Sequence, residues 1–212
     1  TGALTQDAGT VKATTLTLNA ASTVKGTVTA GSVAAGATTL TADGATVTVT
    51  GTDGIAAGKL VVTKTGSSDG TVAAQKIAAE VEQTAGTISG ATTDGGLQVT
   101  KAVTQTGGKI DVGTGTLTLD KASSLGGEGN SAATVANAET LTQTAGSIAA
   151  NKVNGAFKQT GGAIDAQSGA ALVFGSTVGQ DGAGTIGSDS TAVTVTGALT
   201  QDAGTVKATT LT

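Results

Sequence analysis

The chain has 212 residues, a net charge of −4 at pH 7 and 34 glycines, but it has no Pro, Cys, Met, Trp, Tyr or His, and all its basic residues are lysines. The absence of Cys excludes disulfides and thiolate metal sites, and the further lack of His, Tyr and Arg excludes most catalytic acid–base and nucleophile arrangements. Mild acidity without Arg argues against nucleic-acid binding, and no apolar run reaches the ~18–20 residues of a membrane span. We therefore expect no enzyme activity and no cofactor, and the many β-branched residues favour strands.

The first seventeen residues recur at the end of the sequence. Residues 1–17 read TGALTQDAGTVKATTLT, and residues 196–212 read the same without a mismatch, at an offset of 195. A chain that restarts in this way is most simply a stretch of a tandem array. We therefore expect residues 1–195 to form one repeating unit and residues 196–212 to begin the next identical unit.

A shorter motif recurs within the unit: Gln, two residues, Gly, one residue, and then Ile or Val. Its versions are QDAGTV at Gln6, QTAGTI at Gln83, QTGGKI at Gln105, QTAGSI at Gln143, QTGGAI at Gln159 and QDAGTV at Gln201, and QDGAGTI at Gln180 is the same pattern with one inserted residue. With weaker versions that keep only the glycine and the aliphatic residue, the motif predicts ten coils in 195 residues. Two irregularities are expected, an insertion in residues 65–70 and a degenerate coil around residues 125–127. Self-similarity at a fixed period near 20 residues is typical of a solenoid.

Apolar and polar residues alternate inside each coil. In chain order the clearest runs are TLTL from Thr15, TVTVT from Thr46, TLTL from Thr116 and TVT from Thr194. A period of two indicates strands with one buried and one wet face, and the Gly, Asn or Asp that follow such runs indicate turns. The sequence therefore predicts an all-β, right-handed parallel β-solenoid (β-helix) with about 20 residues per coil. In residues 77–83 (IAAEVEQ) a helical turn competes, because Ala and Glu are good helix formers.

The motif glutamines are the most regular polar feature, and several of them fall on consecutive coils. Stacked identical amides hydrogen-bond along the axis as a ladder. We interpret the set as a structural ladder made of Gln6, Gln83, Gln105, Gln143, Gln159, Gln180 and Gln201. The alternative, a row of amides that binds a ligand, has no other support in the sequence. No catalytic, cofactor-binding or metal-ligating residue is predicted.

Two surface patterns are candidates for other functions. TxT segments resemble the outward threonine rows of solenoid ice-binding proteins, but their distance from the nearest motif glycine varies, so we expect them on more than one face. They are Thr15/Thr17, Thr39/Thr41, Thr46/Thr48/Thr50, Thr116/Thr118, Thr140/Thr142 and Thr194/Thr196. Glu80 and Glu82 are spaced to share a strand face, as a glycoside hydrolase would need. The chain has no aromatic platform for a sugar ring, and we interpret both glutamates as solvated.

The repeat style resembles the β-helical passengers of the filamentous haemagglutinin family and related autotransporter adhesins. The matching segments are GTVKATTLTLNAAS from Gly9, AGSVAAGATTLTAD from Ala30, GKIDVGTGTLTLDK from Gly108 and GAIDAQSGAALVF from Gly162. The resemblance implies export to the cell surface, a right-handed parallel β-helix and an adhesive or scaffolding role. No binding motif of the family maps onto individual residues of this chain.

These observations lead to one expected function and two alternatives. We expect a structural protein of an extracellular fibre, sheath or cell-surface filament. Selection for a longer filament favours identical copies of a unit, whereas selection for ligand contacts would make the units diverge. Its partner would be itself, through end-to-end continuation of the solenoid and lateral association, with anchoring to the cell surface through other regions. The first alternative is a surface adhesin that binds a host, cell-surface or glycan ligand along the solenoid, and ice binding is the second.

Overall fold

A computed structural model describes residues 2–91, 96–167 and 169–212, and over these ranges the chain forms 25 strands and no helix. All strand pairings in the coils are parallel, and each strand pairs with strands about 20 residues before and after it in the sequence. The chain is therefore a parallel β-solenoid, which confirms the predicted fold class. Its right-handed sense stays a prediction, based on the strong preference of parallel crossovers for that hand.

The strands form three files that run along the solenoid. Strands of the first file are β1 (Thr5–Gln6), β3 (Ser22–Val24), β5 (Thr39–Asp43), β13 (Val103–Gln105), β15 (Ser123–Leu125), β17 (Leu141–Gln143) and β23 (Leu199–Gln201). Strands of the second file are β6 (Thr46–Val49), β9 (Thr71–Ala73), β11 (Thr87–Ser89) and β24 (Thr205–Val206). Strands of the third file are β12 (Leu97–Val99), β20 (Leu172–Phe174), β22 (Ala192–Val195) and β25 (Thr210–Leu211).

Longer strands bend around a corner and contribute to two files. They are β2 (Thr10–Thr17), β4 (Thr27–Ala34), β7 (Ile55–Thr65), β10 (Lys76–Gln83), β14 (Lys109–Leu119), β16 (Asn130–Asn137), β18 (Ser147–Val153), β19 (Phe157–Asp165) and β21 (Val178–Ile186). The remaining strand, β8 (Ser68–Asp69), pairs antiparallel with the end of β7. This hairpin is the insertion predicted in residues 65–70. The coil predicted to be degenerate is the one that contains β15.

Register along the first file gives the coil count directly. Ten steps of parallel pairing lead from Gln6 to Gln201, so 195 residues make ten coils, as predicted. Individual coils vary from 16 residues, between Gln143 and Gln159, to 22 residues, between Gln83 and Gln105. The corners absorb this variation while the strands keep their register.

The core is a narrow column of aliphatic side chains covered by the coils above and below. In the second file, for example, one interior position holds Val28, Val47, Val72, Ile88 and Ile110 on successive coils, all buried. The two aromatic residues, Phe157 and Phe174, are also buried, with ring centroids 5.3 Å apart. Apolar side chains of residues 1–17 and 196–212 are less covered, and Leu211 is 52% exposed. Burial therefore depends on stacking, as expected for a solenoid.

Residues 77–83 are extended and not helical. They lie within β10, where Ala79, Val81 and Gln83 point inward and are buried while Glu80 is exposed. Parallel pairing with β7 and β13 satisfies the backbone of this strand. Tertiary pairing thus overrides the helix propensity of Ala and Glu, which is a weak preference.

Candidate functional site

One interior column of the first file holds all seven motif glutamines. From the first coil upward, the residues stacked in register are Gln6, Val24, Ala42, Val62, Gln83, Gln105, Leu125, Gln143, Gln159, Gln180 and Gln201. We call this set the glutamine column. Four aliphatic members interrupt it, so the glutamines form separate runs and not one continuous ladder.

The longest hydrogen-bonded run joins Gln143, Gln159 and Gln180 on three successive coils. The Gln159 side-chain nitrogen donates to Oε1 of Gln143 at 2.9 Å, and the Gln180 nitrogen donates to Oε1 of Gln159 at 2.8 Å. All three side chains are fully buried. A buried amide without partners would cost about 1–3 kcal/mol. These bonds therefore make a polar column tolerable inside the solenoid.

A second run joins Gln83 and Gln105 and continues to Asn130, which lies outside the glutamine column. Gln105 Nε2 donates to Oε1 of Gln83 at 3.0 Å. The next column member is Leu125, which has no polar group, and Gln105 instead forms a reciprocal amide pair with Asn130. In this pair Gln105 Nε2 donates to Asn130 Oδ1 at 2.9 Å, and Asn130 Nδ2 donates to Gln105 Oε1 at 2.8 Å. The run is thereby closed at its upper end.

Asn130 lies in the position that Ile or Val occupies in the other coils. It is in register with Ile148 above, and its Oδ1 accepts from the backbone N–H of Ile110 in the coil below. The degenerate coil has therefore exchanged its two residue types, with Leu125 in the glutamine column and the amide five residues later. The sequence motif does not predict this exchange. The five-residue spacing, equal to that from Gln to Ile or Val in the regular motif, is the signal that would reveal it.

Each motif glutamine also donates a hydrogen bond to the corner that follows it. Gln83 Nε2 donates to the carbonyl oxygen of Gly86 at 3.0 Å and to that of Lys109 in the next coil at 2.9 Å. Gln143 likewise reaches the carbonyl oxygen of Ala163 in the next coil at 2.7 Å. The bond to the motif's own glycine recurs at Gln6, Gln105, Gln143, Gln159, Gln180 and Gln201. The recurring Gln–Gly pair, three residues apart except at Gln180, where it is four, is thus the signature of a corner clamp.

The motif glycine is required at this corner for two physical reasons. Gly146 has a φ of 64°, in the left-handed region that favours glycine. A Cβ added there would also run into the carbonyl oxygen of Gly127 in the coil below. Gly204 shows the same crowding against the amide, because its added Cβ would lie 2.6 Å from Nε2 of Gln180. Corner glycines therefore let successive coils approach closely.

The glutamines of the repeated segment are incompletely bonded. Gln201 is exposed, and its nitrogen bonds only to the carbonyl oxygen of Gly204, at 3.1 Å. In the coil below, Oε1 of Gln180 is buried without a hydrogen-bond partner. Oε1 of Gln6 is also buried without a partner, because Val24 above it has no polar side chain. Within the described residues, these two are the only buried side-chain polar atoms without a partner.

Ion pairs join neighbouring coils on the outer surface. Lys158 pairs with Asp181 at 2.8 Å, and Lys121 pairs with Glu139 at 3.2 Å. The Asp181 carboxylate raises the pKa of Lys158, and the backbone N–H of Ala122 together with Lys121 lowers the pKa of Glu139. These groups are about half exposed, so each pair contributes little to stability. Their alignment along the axis nevertheless favours the observed register over shifted ones.

The candidate carboxylate pair lies on the outer side of β10. Glu80 is exposed, and Glu82 forms an ion pair with Lys59 of the coil below. The part of the chain that the structure describes contains no group of three His, Cys, Asp or Glu that could hold a metal ion. It also contains no helix long and apolar enough to cross a membrane.

Outward threonines align on five successive coils of the second file. They are Thr10, Thr27, Thr46, Thr71 and Thr87. The outward position two residues later holds Lys12, Thr29, Thr48, Ala73 and Ser89. A pair of threonines therefore occurs on two coils, those of Thr27 and Thr46. The TxT segments as a whole lie on different faces, since Thr39 and Thr41 belong to the first file.

A hairpin and an adjacent groove break the even outer surface. The hairpin pairs Lys64 with Asp69, and its side chains are exposed. Beside it lies an open groove of about 610 Å³, and its lining includes Gly86, Gly107, Gly108 and Gly126. Lys64, Asp69, Lys109 and Glu128 border the groove. Because these charges are mixed in sign and no aromatic side chain lines the groove, its chemistry specifies no ligand class.

No protein-family model, no curated protein and no solved structure matches the chain. The solenoid of about ten coils is consistent with a β-helical passenger at the level of fold.

Proposed function

We propose that this chain is a unit of a shaft, a structural protein of an extracellular fibre, sheath or cell-surface filament built from tandem β-solenoid repeats. One observation carries the proposal. The identical residues 1–17 and 196–212 occupy equivalent positions, because Gln6 and Gln201 lie in the same column ten coils apart. A further identical unit would continue the solenoid without a change of register.

Two further features support a mechanical role. Gln143, Gln159 and Gln180 of the glutamine column are buried, and their side chains hydrogen-bond coil to coil along the axis. The outward side chains include aligned threonines and exposed ion pairs. The repeat style resembles surface-exported β-helical passengers, and we extend the proposal to that setting, with anchoring through other regions.

The mass of the native protein tests the array most directly. A chain several times heavier than the 19.8 kDa of this sequence would establish that units repeat covalently. Ten coils at ~4.8 Å per strand spacing also predict an axial repeat of about 48 Å in fibre diffraction. Recombinant chains of one, two and four units should unfold at rising denaturant concentrations, because stability in a solenoid comes from neighbouring coils. A one-unit chain as stable as four units would contradict this account.

A surface adhesin is the second candidate, favoured by the hairpin and its groove. In an array these features would recur once per unit, on a shaft that is otherwise even. Replacing residues 65–68 with a shorter glycine turn should leave filament assembly intact. If the chain is an adhesin, the same change should abolish attachment of the filaments to cells or glycan-coated surfaces. If it is only a shaft, filaments of the wild-type chain should not attach to these surfaces either.

A further inference from the structure

The corner between the third and first files shortens by two residues at one step of the solenoid. Leu141 follows Val135 by six residues, whereas in the coil above, the residues in register with them, Val153 and Phe157, are four apart. The two corner backbones therefore cannot pair at every residue, and polar groups of the shorter corner need other partners. The side chain of Asn137 is such a partner.

Asn137 is buried, and its amide bridges the two corners. Its Oδ1 accepts the backbone N–H of Gly155 at 2.8 Å, and its Nδ2 donates to the carbonyl oxygens of Glu139 at 2.8 Å and Ala156 at 2.9 Å. In the coil below, the same interior position holds the fully buried Leu119. Asn137 therefore clamps this corner with its amide, as the motif glutamines clamp theirs, at the step where the corner length changes.

This corner contains the one Asn–Gly pair of the sequence. Of the five asparagines only Asn154 precedes a glycine, and it is exposed. Packing requires the glycine, because a Cβ added to Gly155 would overlap the carbonyl oxygen of Asn137. The close approach of the two coils thus leaves Asn154 beside a backbone nitrogen that no neighbouring side chain shields.

We propose that Asn154 is a site of spontaneous deamidation and that Asn137 restrains the reaction by holding the Gly155 N–H. In this reaction the Gly155 nitrogen gives up its proton and bonds to Cγ of Asn154, while the Cγ–Nδ2 bond breaks and ammonia leaves. Water then opens the succinimide ring at either carbonyl, which yields aspartate or isoaspartate. The hydrogen bond to Asn137 Oδ1 hinders the first step, because the nitrogen must be released from that acceptor before it can attack.

Either product would alter this corner. Both add a negative charge at an exposed position, and isoaspartate also lengthens the main chain by a carbon atom. A longer main chain here would disturb the register of β19, which begins at Phe157 and carries Gln159. The chain has no Cys, Met, Trp, Tyr or His, so few of its side chains can be oxidised. Loss of this amide is therefore a covalent change to which a long-lived copy of the chain remains open.

Comparison of the folded and unfolded full chain tests the restraint. After incubation near neutral pH, peptide mass mapping measures the loss of each amide. In concentrated denaturant, Asn154 should lose its amide before the other four asparagines. In the folded chain its rate should be at least about tenfold lower, the factor that corresponds to ~1.4 kcal/mol of hydrogen bonding. Equal rates in the two states would overturn the proposal.

Three variants separate the acceptor from general stability. Asn137→Leu installs the residue type of the coil below and should raise the rate at Asn154 in the folded chain about tenfold. Asn137→Asp keeps an oxygen acceptor for the Gly155 N–H but loses both donated bonds, so it should deamidate more slowly than Asn137→Leu. Gln83→Ala removes buried hydrogen bonds in a remote coil and should stay within about twofold of wild type, because opening of this corner is local. No increase in Asn137→Leu, or an equal increase in Gln83→Ala, would overturn the restraint by Asn137.

Amide hydrogen exchange of the wild-type chain gives a readout that needs no variant. The Gly155 N–H should exchange at least about tenfold more slowly than in an unstructured chain, because its acceptor lies in the interior. An unprotected N–H at this position would overturn the proposal. None of these measurements requires filaments, so they test the corner independently of the proposed shaft.

Discussion

The same interior column is filled in two ways in two parts of the solenoid. Between residues 22 and 62 its members are Val24, Ala42 and Val62. Between residues 143 and 180 its members are Gln143, Gln159 and Gln180. Every one of these side chains is buried, and the strands pair in parallel register in both parts. Backbone register therefore defines the column, and either aliphatic packing or a bonded run of amides fills it.

The difference between the two parts lies in what happens at a boundary. An aliphatic side chain in the column needs no hydrogen-bond partner, so any residue can stack above it. A run of amides, in contrast, leaves an unpaired oxygen where the next side chain in the column is apolar. Gln6 shows this below Val24, whereas Gln105 avoids it below Leu125 by pairing with Asn130. Amide runs are therefore favoured when they are long or closed by another amide. Each variant below tests one part of this comparison.

The largest effect is expected at a corner of the amide-bearing part. Gly146→Ala combines left-handed backbone strain at a φ of 64° with overpacking against the Gly127 carbonyl below. We expect the free energy of unfolding to fall by about 3–5 kcal/mol, measured by denaturant titration. Gly129→Ala is the matched control, because its φ is 74° but the added carbon meets open space. The control should lose only about 1–2 kcal/mol, and equal losses would show that the contact between coils is unimportant.

The next largest effect is expected in the middle of the longest amide run. Gln159→Ala removes the bonds to Gln143 and Gln180 and leaves a cavity, so we expect a loss of about 2–4 kcal/mol in unfolding free energy. The adjacent Lys158→Ala is the control, since that side chain lies on the outer face and is about half exposed. Its loss should be much smaller. If Lys158→Ala destabilises the chain more than Gln159→Ala, the buried amides do not hold the coils together.

A smaller effect is expected from restoring the regular motif in the degenerate coil. Asn130→Ile alone leaves the Gln105 amide without its partner, and Leu125→Gln alone puts an extra amide into a column whose neighbour is already bonded. Together the two changes recreate the arrangement of the other coils. We expect the double variant to be about 1–2 kcal/mol more stable than the sum of the single effects, as determined from a double-mutant cycle. Pairing Asn130→Ile with the distant Lys158→Ala should give additive effects, and additivity in both cycles would refute the exchange.

The sequence was sufficient to predict the solenoid, the coil count and the hairpin insertion. Alternation and a fixed Gln–Gly spacing report directly on strands and corners, and these features survive changes in coil length. The aliphatic members of the glutamine column were not predictable in the same way, because Val24 and Ala42 lack the glutamine that identifies the column in the sequence. Corner lengths also differ, with five residues from Gln6 to Val11 but four from Val24 to Val28. When a corner differs by one residue, sequence spacing alone no longer gives the register of the following strand. The threonine alignment of the second file was not predicted for this reason.

The smallest effect concerns the outer face of the coil that holds Gln105. The Lys109 side chain at 2.8 Å and the backbone N–H of Gly113 at 3.1 Å hold the pKa of Asp111 below its ordinary value of 3.8. A lowered folded-state pKa means that the charged carboxylate stabilises the fold above pH ~3.8 and that this contribution is lost as the pH falls through the folded-state value. Because the pair is more than a third exposed, we expect only about 0.2–0.5 kcal/mol.

Unfolding free energies of wild type and Asp111→Asn at pH 7 and pH 2.5 measure this contribution. The difference between the two proteins should be present at pH 7 and smaller at pH 2.5, because protonation of the wild-type carboxyl removes the charge that Lys109 contacts. Asp53→Asn is the matched control, because that exposed carboxylate has no ion pair among the described residues. A deficit of Asp111→Asn that persists unchanged at pH 2.5 would mean that the residue acts through its hydrogen bond to Gly113 or through packing. The charge of Asp111 would then have no part in stabilising β14, the strand that carries both partners of this ion pair.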